Sequence, residues 1–499
     1  MKYIFCILAS VLIMASCASH PDVPNDYTQG KEMAKIYPDY VDVTVPVNIA
    51  PLHFTVDTPA DEYVVRLSAG ATSYTYGQQA LPSESEWKSM VEEAKDGSIK
   101  VEIFVANNGK WTLTKPFDIH VSADEIDPYI SYRLIAPSYV TYENLTINQR
   151  NLTNYEETLI YGNMINSDEE DGQCINCHSY QNYNPERMQF HCRQALGGTV
   201  VAYDGKVEKR QIKHLLKAEP GDTMPGSGVY PAWHPTERLI AYSSNHTGQS
   251  FHTVDLDKIE VQDTYSDLIL YDLDANNGAG EVIALERDTM DLDCYPFWSP
   301  DGKYLYYCSA NYQQQDSAKA KEYDMIVNYK EVRYNLYRRS FDLAKRTFGE
   351  REMVYNAEAD SMSATLPRIS PDGEWLMFTR GSHGVFHIWH RDADLWLKNL
   401  RTGEMREAKE LNSHNVESYH AWSSNGKWVI CSSRRTDGNF TRPFIAHVEK
   451  DGHFGRPFEL PQDDPEYHRQ FLRSYNIPEF MTGPVTISPQ EFGDAIRKE

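Results

Sequence analysis

Tyr295-Pro296-Phe297-Trp298-Ser299-Pro300-Asp301-Gly302-Lys303-Tyr304-Leu305-Tyr306-Tyr307 reads as a strand, a tight turn and a second strand. Asp-Gly supplies the positive φ of a hairpin turn, Ser or Pro opens it, and the Trp before it packs inward. The pattern returns without gaps at Tyr230 to Tyr242, Leu366 to Phe378 and Tyr419 to Cys431. The turn is kept as Pro371-Asp372-Gly373 and Ser424-Asn425-Gly426, and degraded to Thr236-Glu237-Arg238 in the first copy. A second hairpin follows each copy, as in Asp267-Leu268-Ile269-Leu270-Tyr271 and Asn335-Leu336-Tyr337-Arg338. Four strands per unit, recurring every 53 to 71 residues, make a β-propeller blade. Phe190 to Leu216, with Gly197-Gly198 and Asp204-Gly205, predicts a fifth blade, and the terminal segment with the preceding linker predicts the closure of a sixth.

From about 188 to 475 the chain resembles the TolB-type, WD-like propellers, whose blades carry the same Trp-Ser-Pro-Asp-Gly-Lys signature. The predicted organisation is mainly β. Residues 1–16 form a signal peptide and 17–40 a Pro-punctuated tether. Residues 41–125 form an immunoglobulin- or fibronectin-like β-sandwich, on alternating runs such as Val101-Glu102-Ile103-Phe104-Val105. One helix interrupts it, with Trp87, Met90, Val91 and Ala94 on one face. A linker spans 126–187 and the propeller 188–499.

The apolar run Tyr3 to Met14 is too short to span a bilayer and ends Leu12-Ile13-Met14-Ala15-Ser16-Cys17, small residues before a cysteine. That ending resembles a bacterial lipoprotein signal with Cys17 lipidated; an ordinary signal peptide is the alternative. The expected place is the cell envelope, at the periplasmic or outer-membrane surface, held by the N-terminal lipid. With 48 Lys and Arg against 72 Asp and Glu, the net charge of −24 argues against nucleic acid.

Cys174-Ile175-Asn176-Cys177-His178 is a CxxCH string. Two thiols on one helical turn can add to the two vinyl groups of a haem while the next residue places its imidazole on the iron. The expectation is one covalent haem c, with Cys174 and Cys177 as attachment points and His178 as proximal iron ligand. His191 and Met188 are candidates for the distal position, with Met164, His214 and Met224 beside them. The alternatives are a Cys174–Cys177 disulfide or half a zinc site, the latter lacking a second pair.

The string, with Asp127-Pro128-Tyr129, Tyr132-Arg133-Leu134-Ile135, Gln149-Arg150-Asn151-Leu152 and Phe190-His191-Cys192-Arg193, resembles a group of exported Bacteroidetes lipoproteins described as TolB-like or cytochrome c related. Electron transfer through a redox partner docked on the propeller face is the leading functional expectation. A haem-free binding or scaffolding protein, with a protein or glycan partner, is its rival, and a haem peroxidase a minor one. His383, His387 and His390 read as ordinary loop and strand histidines, because on a strand His387 and His390 would face opposite ways. Cys192, Cys294, Cys308 and Cys431 read as buried apolar groups or as disulfide partners. No P-loop, GxSxG or HExxH motif is present.

Overall fold

The computed structural model describes residues 20–136, 144–167, 173–212, 227–254, 257–285 and 290–498. The chain is mainly β. The expected signal peptide at 1–16, Cys17, His214 and Met224 lie outside the described residues, so the candidate lipidation site and two candidate iron ligands carry no structural account.

The N-terminal module holds a seven-stranded sheet and a three-stranded sheet around the helix Glu84–Glu93. Ser83 caps that helix in a reciprocal capping box with Glu86, and Trp87, Met90 and Val91 enter the core. The module begins earlier than the sequence suggests. Thr28–Gln29 pairs in parallel with Thr112 and Leu113, and Ile36–Tyr37 pairs with Thr55 and Val56. Ala34, Ile36 and Tyr40 are buried, so the stretch read as a tether is, from residue 20 onward, part of the fold; its apolar side chains outweigh its prolines.

Four-stranded antiparallel meanders follow. The first runs Cys174–Gln181, Asn184–Arg193, Gly198–Tyr203 and Lys206–Arg210. Later ones start at Gly228–Trp233, Asp291–Trp298, Ser363–Ile369 and Glu417–Trp422. A further sheet takes its first-position strand, Ser474–Met481, from the C-terminus and the rest, Tyr129–Ile135, Thr146–Asn151 and Glu157–Gly162, from the stretch read as a linker. The described part of 126–187 is therefore mostly sheet and not connection: it supplies three strands of this sheet and the first hairpin of the first meander.

The turn chemistry of the repeat is visible atom by atom. Ser299 Oγ accepts from Tyr304 N (3.0 Å), Ser370 Oγ from Trp375 N (2.9 Å) and Ser423 Oγ from Trp428 N (3.0 Å). Gly302, Gly373 and Gly426 take φ of 69°, 75° and 68°, which an L side chain rarely adopts. In the degraded copy His234 replaces the serine, and its Nδ1 accepts from Thr236 N (3.3 Å) and Glu237 N (3.1 Å). Trp298 Nε1 donates to Ala232 O (3.2 Å) and Trp422 Nε1 to Arg368 O (3.3 Å), so two of the repeat's tryptophans tie their meander to the one before.

The N-terminal module shares a core with the meander that starts at Glu417 and with the closing sheet. Trp428, Ile430, Ile445 and Tyr475 pack in the same cluster as Val45, Trp87 and Ile99. Trp428 Nε1 donates to Asp124 O (3.1 Å), and Asp127 accepts from Ser424 N (2.7 Å) and Ser424 Oγ (2.5 Å).

Candidate functional site

All six first-position strands break their ladder at the same point. The register skips two residues in each: Cys177-His178, Tyr230-Pro231, Tyr295-Pro296, Leu366-Pro367, Tyr419-His420 and Ile477-Pro478. The leading residue of each pair has positive φ, from 42° at Tyr419 to 55° at Leu366. Such bulges bend a strand and re-aim its side chains. Here all six leading residues, with His178, Arg368 and Glu479, line one cavity of about 30 Å³, enough for about one or two waters.

The CxxCH string is thus one of six equivalent strands and not a helical turn, which corrects the local geometry expected from sequence. Cys177 stands where three other strands carry Tyr, and His178 where four carry Pro. The repeat itself held the signal: Cys177-His178-Ser179-Tyr180-Gln181 aligns with Tyr230-Pro231-Ala232-Trp233-His234.

Burial sets the chemistry of these residues. Cys177 and His178 are each 1% exposed. Burial pushes the Cys177 thiol up and His178 down to about 3, so the imidazole is neutral. Neither ring nitrogen of His178 makes a well-formed hydrogen bond, and the same holds for His420, also lowered to about 3 by burial. Arg368 Nη2 pairs with Glu479 Oε1 at 3.0 Å on the same cavity wall.

Cys174 faces elsewhere. It is half-buried and lines a separate cavity of about 460 Å³ together with Arg133, Asn176, His191, Arg193, Tyr230, Asn245, Gln249, Phe386, Tyr419 and Asn476. Tyr230 and Tyr419 belong to both walls, so this larger cavity adjoins the ring. Across the ring a third cavity of about 350 Å³ is lined by Trp233, Phe297, Trp298, Trp422 and Phe480. His191 stands opposite Asn176 and Thr199, buried and lowered to about 3 by burial and by Arg193. Met188 is fully buried in an apolar cluster with Phe190 and Val200, and Met164 is exposed.

These residues do not fit a covalent haem. The porphyrin would have to meet His178, but His178 lines a cavity of a few tens of Å³ while Cys174 opens on the other one. Residues three apart on a strand face opposite ways, about 10 Å apart. That separation also exceeds the roughly 7 Å Cα limit of a disulfide. All six described cysteines are free thiols, including Cys192, Cys294, Cys308 and Cys431, each buried in a strand. Met188 is enclosed by apolar neighbours and lines neither cavity.

Elsewhere the structure gathers side chains that the sequence kept apart. Glu260, His383 and His390 bring their ligand atoms within 4.8 Å of one another, all three buried. His387 turns away, its Nε2 on His383 O (3.1 Å) and its Nδ1 on Thr365 Oγ1 (2.9 Å).

No protein-family model matches the chain, and no curated protein matches it. Among solved structures, a luciferin-regenerating enzyme is similar at 11% identity and a TM-score of 0.36, over 67% of this chain and 87% of that one. An ACO/RPE65 chimera is similar at 11% identity and 0.37, over 91% and 97%. Prolyl oligopeptidase B from Galerina marginata is similar at 9% and 0.37, over 68% and 45%.

Proposed function

We propose that this chain is a propeller-type binding protein that takes a small anionic, polar ligand in the cavity lined by Arg133, Arg193, Asn176, Asn245, Gln249 and Asn476. The carrying observation is charge contrast: a protein with a net charge of −24 places two arginines on the wall of a 460 Å³ cavity beside its axial ring. Guanidinium groups recognise carboxylate or phosphate bidentately, and amides and tyrosines supply the remaining donors. Arg193 is exposed on the cavity wall, whereas Arg133 Nη1 donates to Ile175 O (3.1 Å) and to Asn176 Oδ1.

Six blades are the count that supports this reading best, since six strands share one bulge and one axial cavity, with the last blade joining the C-terminal strand Ser474–Met481 to strands between Tyr129 and Gly162. The N-terminal module is then an immunoglobulin-like body braced against the fifth of these blades. A lipid on Cys17 would hold the whole at an envelope membrane.

The test is calorimetry against citrate, inorganic phosphate and oligoglucuronate. At least one is expected to bind with sub-millimolar Kd, weakened tenfold or more by Arg193→Ala. A panel with no binding better than millimolar overturns the reading.

Covalent haem is the rival expectation from the CxxCH string, and the placement of Cys174 and His178 on different cavities counts against it. Expression with a c-type maturation system, followed by a pyridine haemochrome spectrum, decides it. The strand geometry predicts no covalent haem, and a haemochrome signal lost in Cys174→Ala would replace the binding reading with electron transfer.

A further inference from the structure

We propose that Glu260, His383 and His390 form a divalent transition-metal site of the zinc class that staples a long hairpin to a loop two sheets away. The hairpin strands Leu239–Phe251 and Ile259–Asp272 run 13 and 14 residues, against 8 and 7 for Tyr304–Asn311 and Trp375–Gly381. The overhang carries Glu260, opposite Ser250, out to a loop 130 residues later in the chain. That loop holds His383 just after the strand Trp375–Gly381, and His390 after the turn His387–Trp389.

Both distances from the carboxylate to the imidazoles match a coordination sphere. Glu260 Oε2 lies 3.0 Å from His390 Nε2 and 3.4 Å from His383 Nε2. Tetrahedral bonds of about 2.0–2.1 Å put ligand atoms about 3.3 Å apart. Two imidazoles and one carboxylate suit zinc and its neighbours over calcium or magnesium, which take oxygen.

The surroundings hold the ligands in that form. His383 Nδ1 is 2.8 Å from Ser382 Oγ, which fixes the ring and leaves Nε2 as the inward atom, buried and without a well-formed hydrogen bond. The rings of His383 and His390 stack at 4.5 Å. Gly384, at φ 75°, lets the backbone close in: a Cβ there would come within 2.9 Å of His390 Cε1. His387 braces the loop through Thr365 and His383 O and is a positioning residue.

The site is independent of what binds beside the ring, but it stiffens that cavity. Gln249 and Val261 of the hairpin and Phe386 of the loop are three of its walls. A metal joining Glu260 to His383 fixes hairpin and loop together.

The experiment strips the purified full chain with EDTA, resupplies Zn²⁺, and counts metal after gel filtration. One equivalent per chain and a higher Tm than the EDTA-treated sample are expected. Co²⁺ substitution should give tetrahedral d–d bands with no thiolate charge-transfer band, which separates this site from the free cysteines. His383→Asn, and Glu260→Asp, which keeps the charge but shortens its reach, should each weaken Zn²⁺ at least tenfold while far-UV circular dichroism stays native. A natively folded parent that retains no zinc, or a folded His383→Asn protein that retains as much as the parent, overturns the proposal.

Discussion

The strand Cys174–Gln181 and the loop that carries His383 and His390 exchange the roles their sequences suggest. The strand has the spacing of a chemical motif, yet its second cysteine and its histidine fill places that Tyr and Pro fill in sister strands. The loop reads as scattered histidines, yet two of them meet a glutamate from the other side of a blade neighbour. Spacing along the chain predicts chemistry only when local backbone geometry is the one the chemistry needs. A CxxCH needs a helical turn, and an extended strand separates what that turn would gather. Metal ligands need only converge in space, which a folded chain can achieve from any separation.

The contrast can be broken most forcefully at the two cysteines. If they served one cofactor, they would be equally important; on this strand they are not. Cys177→Asp puts a carboxylate into the axial ring, and we expect a loss of about 4 kcal/mol or more. Cys174→Asp, half-exposed beside Arg193, should stay within about 1 kcal/mol. Denaturant midpoints of the two variants measure the difference, and equal losses would mean that the strand does not alternate as described.

A smaller effect sharpens the same point at the neighbouring residue. Four of six equivalent positions are already Pro, so His178→Pro should fold and remain within about 1 kcal/mol of the parent at pH 7.5. Its signature is in the pH dependence. The folded pKa of His178, about 3, lies below the unfolded value of about 6.5. The unfolded chain therefore binds the extra proton between those values, and the parent's share of stability from this site is full above pH 6.5 and lost as pH falls toward 3. Relative to His178→Pro, the parent should lose up to about 1.4 kcal/mol per pH unit in that window. Parallel stability curves for the two proteins would show that His178 is not the buried neutral group described.

Much of the fold was legible because it is local. The Ser-x-Asp-Gly turns, the tryptophans before them and the capped helix at Glu84–Glu93 each depend on residues within about six positions of one another. The strands at Ile36 and Tyr129 were not legible in the same way. Their partners, Val56 and Met481, are set by long-range pairing, and short polar-flanked runs carry little periodicity of their own. Aligning Cys177-His178 with Tyr230-Pro231 would have exposed the strand, but that comparison weighs five residues against a motif with a well-known chemistry.

By itself, the sequence determined a mainly β chain built from repeated hairpins, because turn preference and alternation act between near neighbours. Only the tertiary structure decided that His178 ends in a water-sized ring, that Arg133 and Arg193 face a common cavity, and that Glu260 reaches His383 and His390. Those meetings follow from register skips repeated in six strands and from the overhang of one hairpin. The skips are marked locally by the repeated Tyr-Pro and related pairs, but which side chains they bring together depends on geometry that accumulates over many residues.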